Sequence, residues 1–189
     1  MRALIERIRA NGRIIGDGLL GVDGFLNHQL DPELLAAIGG EFAARFAGSE
    51  VTKVVTAEIS GIAPALMTAR ALGVTMVFAR KRRPATLTGD CYRATARSRT
   101  KGDEIELIIA ADYLAPGERV LIVDDFLATG ATSKALATMV ANSGASLVGV
   151  GCVIEKPVEG GRGALGGLAV PVVSLARVTF TDGAIAVVG

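Results

Sequence analysis

Short apolar runs alternate with amphipathic segments along most of the chain. Apolar runs of four to eight residues predict strands at 51–57, 74–79, 105–111, 120–123, 147–154 and 170–175. Apolar residues at helical spacing predict helices at 3–10, 31–47, 62–72 and 133–141. Because strands that alternate with helices are typical of a sheet covered by helices, we predict an α/β fold with a central parallel sheet.

The second predicted helix has a clear start. Asp31 is a typical N-cap, Pro32 suits the first helical position, and Glu33 places an acidic side chain in the first turn. The apolar residues that follow at helical spacing are Leu34, Leu35, Ile38, Phe42 and Phe46.

Three segments fit neither pattern. Residues 84–101 are less hydrophobic and predict a hairpin or a mobile loop, and the glycine-rich residues 160–167 predict a flexible connection. Thr181-Asp182-Gly183 predicts a closing hairpin turn. The 189 residues contain no repeat and no long linker, so we predict a single domain over residues 1–189.

Composition narrows the class of protein. Half of the residues are apolar and the net charge is +1, which argues against general binding to nucleic acid or to an anionic membrane. Cys91 and Cys152 lack metal-ligand spacing and predict reduced thiols. Neither a signal peptide nor an apolar run of about 20 residues is apparent, so the expected location is the cytoplasm.

The apolar run at 120–123 leads directly into two neighbouring acids, Asp124 and Asp125. Ligands of open α/β sheets bind at the carboxyl ends of strands, so this pair is placed to bind hydroxyl groups or a cation. The loop that follows at 128–132 supplies small residues, two hydroxyls and a glycine before a helix, a pattern that suits a phosphate. The alternative is that the acids cap the helix and that Gly130 only permits a turn.

The whole stretch VLIVDDFLATGAT at 120–132 resembles the phosphoribosyl pyrophosphate signature of the type I phosphoribosyltransferases. The resemblance implies that Asp124 and Asp125 hold the ribose hydroxyls of that substrate. It also implies a loop that holds the 5-phosphate and consists of Ala128, Thr129, Gly130, Ala131 and Thr132.

Similarity to the xanthine-using members of that family extends to four further stretches. They are LLGVDGFLNHQLDPEL at 19–34, SGIAPA at 60–65, VFARK at 77–81 and VIEK at 153–156. The resemblance therefore covers nearly the whole chain. It implies the type I phosphoribosyltransferase fold, with a small hood formed by residues from about 1–30 and 155–189.

Phosphoribosyl pyrophosphate has a second anionic end, and the resemblance places the pyrophosphate at Ser60 and Gly61, which alone would be an ordinary turn. Eight basic residues lie between positions 80 and 101: Arg80, Lys81, Arg82, Arg83, Arg93, Arg97, Arg99 and Lys101. Arg80 and Lys81 follow a strand at the expected catalytic edge, so we predict that they stabilise the departing pyrophosphate. The others are expected in a loop that closes over the site, although a solvated basic face would explain several of them.

The resemblance also implies a purine pocket lined by Leu20, Asn27 and Lys156. Lys156 can donate to an exocyclic oxo group, Asn27 offers a donor and an acceptor, and Leu20 would pack on the ring. Taken alone, Lys156 is better explained as a surface lysine at the end of a strand. His28, the single histidine, is expected to hydrogen-bond locally and shape the loop of Asn27.

One position departs from the related hypoxanthine–guanine enzymes, in which an aspartate begins the phosphate loop. Ala128 stands there, so the loop carries no carboxylate that could act as general base. Xanthine is the more acidic purine and can enter as its anion, which predicts a rate that follows xanthine's own ionisation.

Together these features predict a purine-salvage enzyme that transfers 5-phosphoribosyl from phosphoribosyl pyrophosphate to xanthine, giving xanthosine 5′-phosphate and pyrophosphate. Mg²⁺ is expected to bind mainly through the substrate, without a dedicated protein site. The family resemblance implies a homodimer. The alternatives are transfer to guanine, hypoxanthine or adenine, and a non-catalytic regulator that senses phosphoribosyl pyrophosphate with the same fold.

Overall fold

The computed structural model of the chain describes residues 1–16, 19–97, 104–181 and 183–189. The helices are α1 (Arg2–Asn11), α2 (Pro32–Arg45), α3 (Ile62–Leu72), α4 (Ala131–Asn142) and α5 (Gly161–Ala164). The strands are β1 (Arg13–Ile15), β2 (Leu19–Gly21), β3 (Lys53–Ala57), β4 (Thr75–Ala79), β5 (Cys91–Arg97), β6 (Glu104–Ala110), β7 (Arg119–Leu127), β8 (Ser146–Glu155), β9 (Val172–Thr181) and β10 (Ala184–Val188). Arg99 and Lys101 of the predicted basic loop and Asp182 of the predicted closing turn lie outside the described residues.

The central sheet has six strands in the order β10-β9-β8-β7-β3-β4. Neighbouring strands are parallel except for β10, which is antiparallel to β9. This arrangement confirms the predicted α/β fold with a central, mostly parallel sheet. Because parallel strands end at the same edge, the segments that follow β3, β4, β7 and β8 meet there.

The residues of β7 alternate between two hydrophobic cores, since successive side chains of a strand point to opposite faces. Val120 and Ile122 pack on one face with α4 and β6, and Leu121 and Val123 pack on the other with α1, α2 and α3. All four side chains are buried. Burial on both faces explains why this run is continuously apolar.

The helix start predicted at Asp31 is confirmed. The Leu34 backbone N–H donates to Asp31 Oδ1 at 3.1 Å, and Pro32 is the first residue of α2. The helix ends at Arg45, slightly before the predicted end at 47. The bounds of α3 are as predicted, and α4 starts at Ala131 instead of 133.

Strand β7 is longer than predicted and contains the acidic pair instead of ending before it. It continues to Leu127 because β8 pairs with it as far as Leu127 opposite Glu155. On its other side, β3 pairs with β7 only as far as Val55 opposite Ile122. The last part of β7 therefore has one open edge, and the acidic pair lies beside that opening.

The strand predicted at 105–111 is present as β6, but it pairs with β5 and not with the central sheet. The two strands pair in an antiparallel arrangement, so residues 91–97 of the segment predicted as a hairpin or a mobile loop form one strand whose partner is the separately predicted strand β6. The hairpin joins the end of β4 through a backbone bridge between Arg80 and Ile108. Cys91 on β5 and Cys152 on β8 are both free thiols, as predicted.

The prediction of a flexible connection at 160–167 is wrong. These residues form α5 and a following 3₁₀ turn, Gly166–Leu168. The segment is ordered because Leu165 is buried in one of the two cores and Arg162 donates four hydrogen bonds.

The first helix packs against the last two strands. The Met1 amino group donates to the Leu175 carbonyl at 2.7 Å, and Arg9 Nη2 donates to the Val187 carbonyl at 3.1 Å. Strands β1 and β2 form a separate hairpin, while β9 and β10 extend the central sheet. The single domain and the hood from about 1–30 and 155–189 stay predictions.

No helix in the described part of the chain combines the length and hydrophobicity that crossing a membrane requires.

Candidate active site

Asp124 and Asp125 lie in the second half of β7 and are 8% and 6% exposed. The Asp125 backbone N–H donates to Asp124 Oδ1 at 3.0 Å, which fixes the first carboxylate. Burial, followed by the charge of Asp125, raises the pKa of Asp124 well above its ordinary value, and the charge of Lys81 opposes this shift. A buried carboxyl group with a raised pKa is typical of a functional site.

The loop at 128–132 joins β7 to α4. Gly130 is the N-cap of α4 and has a φ of 80°, a left-handed conformation that favours glycine. As a glycine it offers no side chain to cap the helix, and the Thr129 hydroxyl accepts a hydrogen bond from the Ala131 backbone N–H at 3.5 Å. Because the first N–H groups of a helix have no partner within the helix, those of α4 can bind an anion.

A cavity of about 260 Å³ opens at this edge of the sheet. Nine predicted site residues line it: Asp124, Asp125, Ala128, Thr129, Gly130, Ala131, Thr132, Ser60 and Lys81. They belong to β7 or to the segments that follow β3, β4 and β7. The positions predicted for the ribose, the 5-phosphate and the pyrophosphate therefore share one cavity.

The loop after β3 is fixed by its neighbours. Glu58 Oε1 accepts a hydrogen bond from the Lys81 backbone N–H at 2.7 Å, which links the segments after β3 and β4. At Gly61, an added Cβ would collide with Thr56 Oγ1 and would lie 2.6 Å from Asp124 Oδ1. Glycine is therefore needed at this position, where the predicted pyrophosphate loop touches the acidic pair.

No sequence pattern singles out Thr56. The residue is fully buried, and its Oγ1 has no hydrogen-bond partner among the described residues. This hydroxyl and the Asp124 carboxylate both approach Gly61. A buried hydroxyl without a partner normally lowers the free energy of unfolding, and this one lies beside the acidic pair.

The structure does not bring Arg80 into this cavity. The Arg80 guanidinium lies 5.3 Å from the centre of the Phe78 ring and lines a separate groove of about 640 Å³. The backbone of Arg80 pairs with Ile108 in an extended bridge, whereas Lys81 follows in a bend, and the two side chains line different cavities. Of the two predicted cations, Lys81 alone lines the cavity.

The three residues predicted for the purine do not line this cavity either. Leu20 is buried in the core, Asn27 is half-buried at the end of a single π-helical turn, Asp23–Asn27, and the His28 backbone N–H closes that turn on the Asp23 carbonyl. Lys156 comes closest: it is 5% exposed, and its Nζ lies 5.4 Å from the centre of the Phe126 ring. Phe126 itself lines the cavity, so Lys156 is linked to the cavity through this ring.

Sequence reasoning missed several residues of the cavity wall. Glu58, Phe126 and Ser133 line it, together with a surface of the β5–β6 hairpin that we call the hairpin wall, consisting of Ala96, Ile105 and Leu107. Only its place directly after the acidic pair could have identified Phe126, because it packs with the core of Leu121 and Val123 and so breaks the period of two along β7. The hairpin wall comes from distant chain segments and carries no local signal.

The site offers few protein ligands for a metal ion. The described residues contain no group of three or more His, Cys, Asp or Glu side chains that could hold one. Mg²⁺ commonly keeps several waters and takes one or two carboxylates together with substrate phosphates. Asp124 and Asp125 fit that role for an ion that arrives with a phosphorylated substrate.

Comparison with known proteins agrees with this geometry. A family model for the phosphoribosyl transferase domain matches residues 30–162. Proteins named xanthine phosphoribosyltransferase are 52% identical in Deinococcus deserti, over 96% of this chain and 94% of that protein, and 50% identical in Moorella thermoacetica, over 93% and 89%.

A solved structure of adenine phosphoribosyltransferase from Rhodothermus marinus is also similar. It superposes with a TM-score of 0.75 and 29% identity, over 94% of this chain and 99% of that one. The chain therefore belongs to the phosphoribosyl transferase family, and it is similar over almost its full length to proteins named xanthine phosphoribosyltransferase.

Proposed function

We propose that this protein is a purine-salvage enzyme that transfers 5-phosphoribosyl from phosphoribosyl pyrophosphate to xanthine, giving xanthosine 5′-phosphate and pyrophosphate. The observation that carries the proposal is one cavity at the carboxyl ends of parallel strands, lined by the acidic pair, the loop at 128–132 and Lys81. The choice of xanthine is supported by the names of relatives that are 52% and 50% identical.

The donor would be held at both ends. The loop at 128–132 would bind the 5-phosphate through its N–H groups, and Ser60 and Gly61 would bind the pyrophosphate. Asp124 and Asp125 would accept hydrogen bonds from the ribose hydroxyls and so fix C1 of the ribose between the two anions. Mg²⁺ bound with the donor would neutralise phosphate charge, and Asp124 and Asp125 are the residues that could approach it.

During transfer, the bond between ribose C1 and a pyrophosphate oxygen breaks, and its electron pair leaves with the pyrophosphate. A new bond forms between C1 and a ring nitrogen of the purine, whose proton passes to solvent. Lys81 would stabilise the growing negative charge, because its side chain lines the cavity where the charge develops. Arg80 would need a different side-chain position to assist, so its catalytic role stays a prediction.

The purine is proposed to lie near Phe126, with Lys156, Asn27 and Leu20 as its specificity residues. The support for this is the contact of Lys156 Nζ with the ring of Phe126, which lines the cavity. Ala128 lines the cavity without offering a carboxylate, so xanthine would react with the help of its own acidity. An Ala128→Asp variant should therefore not accelerate xanthine turnover greatly.

Pyrophosphate release tests the proposal. The protein is incubated with phosphoribosyl pyrophosphate, Mg²⁺ and, separately, xanthine, guanine, hypoxanthine or adenine, and we expect the fastest release with xanthine. Lys81→Met should reduce release strongly, while Lys134→Met, an exposed lysine on α4, should leave it unchanged. Absence of release with every purine would contradict an enzyme and favour the regulator, and release chiefly with adenine would contradict the purine assignment.

We also propose a cytoplasmic homodimer of single-domain chains. The support is the similarity to phosphoribosyltransferases together with two free thiols. Light scattering of the purified protein, which measures its mass in solution, tests the dimer.

A further inference from the structure

The glycine-rich segment that begins at Gly160 lies directly against the loop at 128–132. An added Cβ at Gly161 would collide with the Ala128 carbonyl and would lie 3.0 Å from the Gly130 nitrogen. In the other direction, a Cβ at Gly130 would lie 3.0 Å from the Gly161 carbonyl oxygen. Two backbone segments from opposite ends of the α4–β8 unit are thus in contact without any side chain between them.

Arg162 holds this segment in place. Its Nε and Nη2 donate to the two carboxylate oxygens of Glu155, at 2.9 and 2.5 Å. The same guanidinium donates to the Val172 carbonyl at 2.6 Å and to Ser174 Oγ at 2.7 Å. A planar guanidinium with four directed bonds fixes position as well as distance, which a lysine cannot reproduce.

The partner carboxylate is itself rigidly held. Glu155 is 2% exposed, accepts a further hydrogen bond from Ser174 and lies 3.5 Å from Arg177 Nε. Ser174 also contacts Cys152 Sγ at 3.2 Å. Burial alone would raise the pKa of Glu155, but the hydrogen bonds from Arg162 and Ser174 and the nearby positive charges lower it below its ordinary value. The carboxylate is therefore ionised and paired at neutral pH.

We propose that residues 160–168 form a floor under the 5-phosphate loop, and that Gly161 and Arg162 are positioning residues for the donor's 5-phosphate. The floor includes Leu165, which is buried and whose Cγ would lie 3.4 Å from a Cβ at Gly130. This inference rests on the proposed function, because it takes the loop at 128–132 as the 5-phosphate site. It assigns to an irregular segment the role of keeping that loop in one conformation before the substrate arrives.

A pair of glycine substitutions tests the floor. Gly161→Ala pushes the floor against the loop, whereas Gly163→Ala places its new methyl group where no atom lies within 4 Å. We measure the dissociation constants of ribose 5-phosphate and of pyrophosphate for each variant by calorimetry. The clash displaces N–H groups that would bind the phosphate, and losing one hydrogen bond to a charged group weakens affinity about tenfold or more, so we expect Gly161→Ala to bind ribose 5-phosphate at least about tenfold more weakly than Gly163→Ala.

Pyrophosphate affinity should be unchanged in both variants, because pyrophosphate is assigned to the loop after β3. Arg162→Ala should repeat the selective loss without altering any atom of the cavity, and Arg162→Lys should restore little of it. These two variants keep the test decisive if Gly161→Ala fails to fold. A general loss of structure would weaken the binding of both ligands together. A floor without a positioning role would leave both dissociation constants unchanged. Either result overturns the proposal.

The wild-type protein separates this inference from the proposed function. If it neither binds ribose 5-phosphate nor releases pyrophosphate with any purine, both ideas fail. If it is active and Gly161→Ala matches Gly163→Ala in ribose 5-phosphate affinity, the floor alone is wrong.

Discussion

Two buried carboxyl groups on neighbouring strands have opposite environments. Asp124 on β7 faces a second acid, Asp125, and its pKa is raised by burial and by that neighbouring charge. Glu155 on β8 is at least as deeply buried, but its hydrogen bonds and ion pairs with Arg162 and Arg177 lower its pKa despite burial. Both groups are buried, so the sign of the neighbouring charge decides whether the pKa rises, as at Asp124, or falls, as at Glu155.

The two environments indicate which carboxylate serves the ligand and which serves the fold. Burial and the charge of Asp125 disfavour the ionised form of Asp124, and a substrate with hydroxyl groups and a bound cation would stabilise that form. Both carboxylate oxygens of Glu155 accept hydrogen bonds from other protein groups, and Glu155 does not line the cavity. The proposed active site and its support thus use the same chemical group, a buried carboxyl, for opposite purposes.

The largest expected effect is on activity. Asp124→Asn removes a charge that would hold the ribose and its metal ion, so kcat/KM for phosphoribosyl pyrophosphate should fall by roughly 100-fold or more. Pyrophosphate release measures this directly. Glu41→Gln, which alters the exposed i,i+4 pair with Arg45 on α2, should leave kcat/KM unchanged. An Asp124→Asn protein with near-normal kcat/KM would remove Asp124 from the mechanism.

The second effect is on stability. Glu155→Gln leaves Arg162 without its anion, and breaking a buried pair costs about 3 kcal/mol of the free energy of unfolding. We expect the low end of the usual range, because the Arg162 side chain is 41% exposed and water can replace part of the interaction. Urea denaturation measures the change, and the exposed Glu41→Gln control should shift by less than about 0.5 kcal/mol. Equal shifts in the two variants would contradict a structural role for Glu155.

The two carboxyl groups also predict opposite pH dependences of stability. Between an ordinary pKa of about 4 and the raised pKa of Asp124, the folded state binds more protons, so Asp124 makes stability fall as the pH rises. For Glu155 the folded pKa is the lower one, so its contribution is complete above about 4 and is lost as the pH falls through the folded pKa.

Difference curves isolate each group. The free energy of unfolding of Asp124→Asn minus that of the wild type should grow as the pH rises above about 4. For Glu155→Gln the deficit should shrink below about 4. Denaturant titrations at pH values from 3 to 8 would provide both curves. Parallel curves for the two variants would mean that the environments do not differ as described.

The smallest expected effect concerns Thr56. Thr56→Val keeps the shape but removes the buried hydroxyl without a partner, so the free energy of unfolding should stay equal or rise by about 1 kcal/mol. If the hydroxyl supports the acidic pair during binding, the same variant should weaken phosphoribosyl pyrophosphate binding, and Thr56→Ser should restore it. Thermal unfolding and calorimetry measure the two quantities. Strong destabilisation of Thr56→Val would show that the hydroxyl is already bonded.

The features that could be predicted from the sequence are all determined by residues close together in the chain. Asp31 caps its helix and the run at 120–123 is buried on both faces, because capping and burial leave signals within a few residues. The acidic pair and the loop at 128–132 also form one contiguous stretch, which is why the candidate donor site could be predicted from the order of residues alone.

Features that depend on distant partners escaped prediction. The length of β7 is set by pairing with β8, and the order at 160–167 is set by Glu155, Val172 and Ser174. The bridge to Ile108 places Arg80 at the separate groove, away from Lys81. In each case the deciding contact lies outside the segment whose structure it determines.

The burial of Cys152 has a practical use. Burial raises its pKa to about 12, and it is held beside Ser174, so its thiol stays protonated and unreactive towards alkylating reagents near neutral pH. Cys91 is the other cysteine and is half-buried on β5, in the hairpin that supplies the hairpin wall. A maleimide fluorophore should therefore attach to Cys91 alone, which gives the native sequence a single labelling position for following substrate entry by fluorescence.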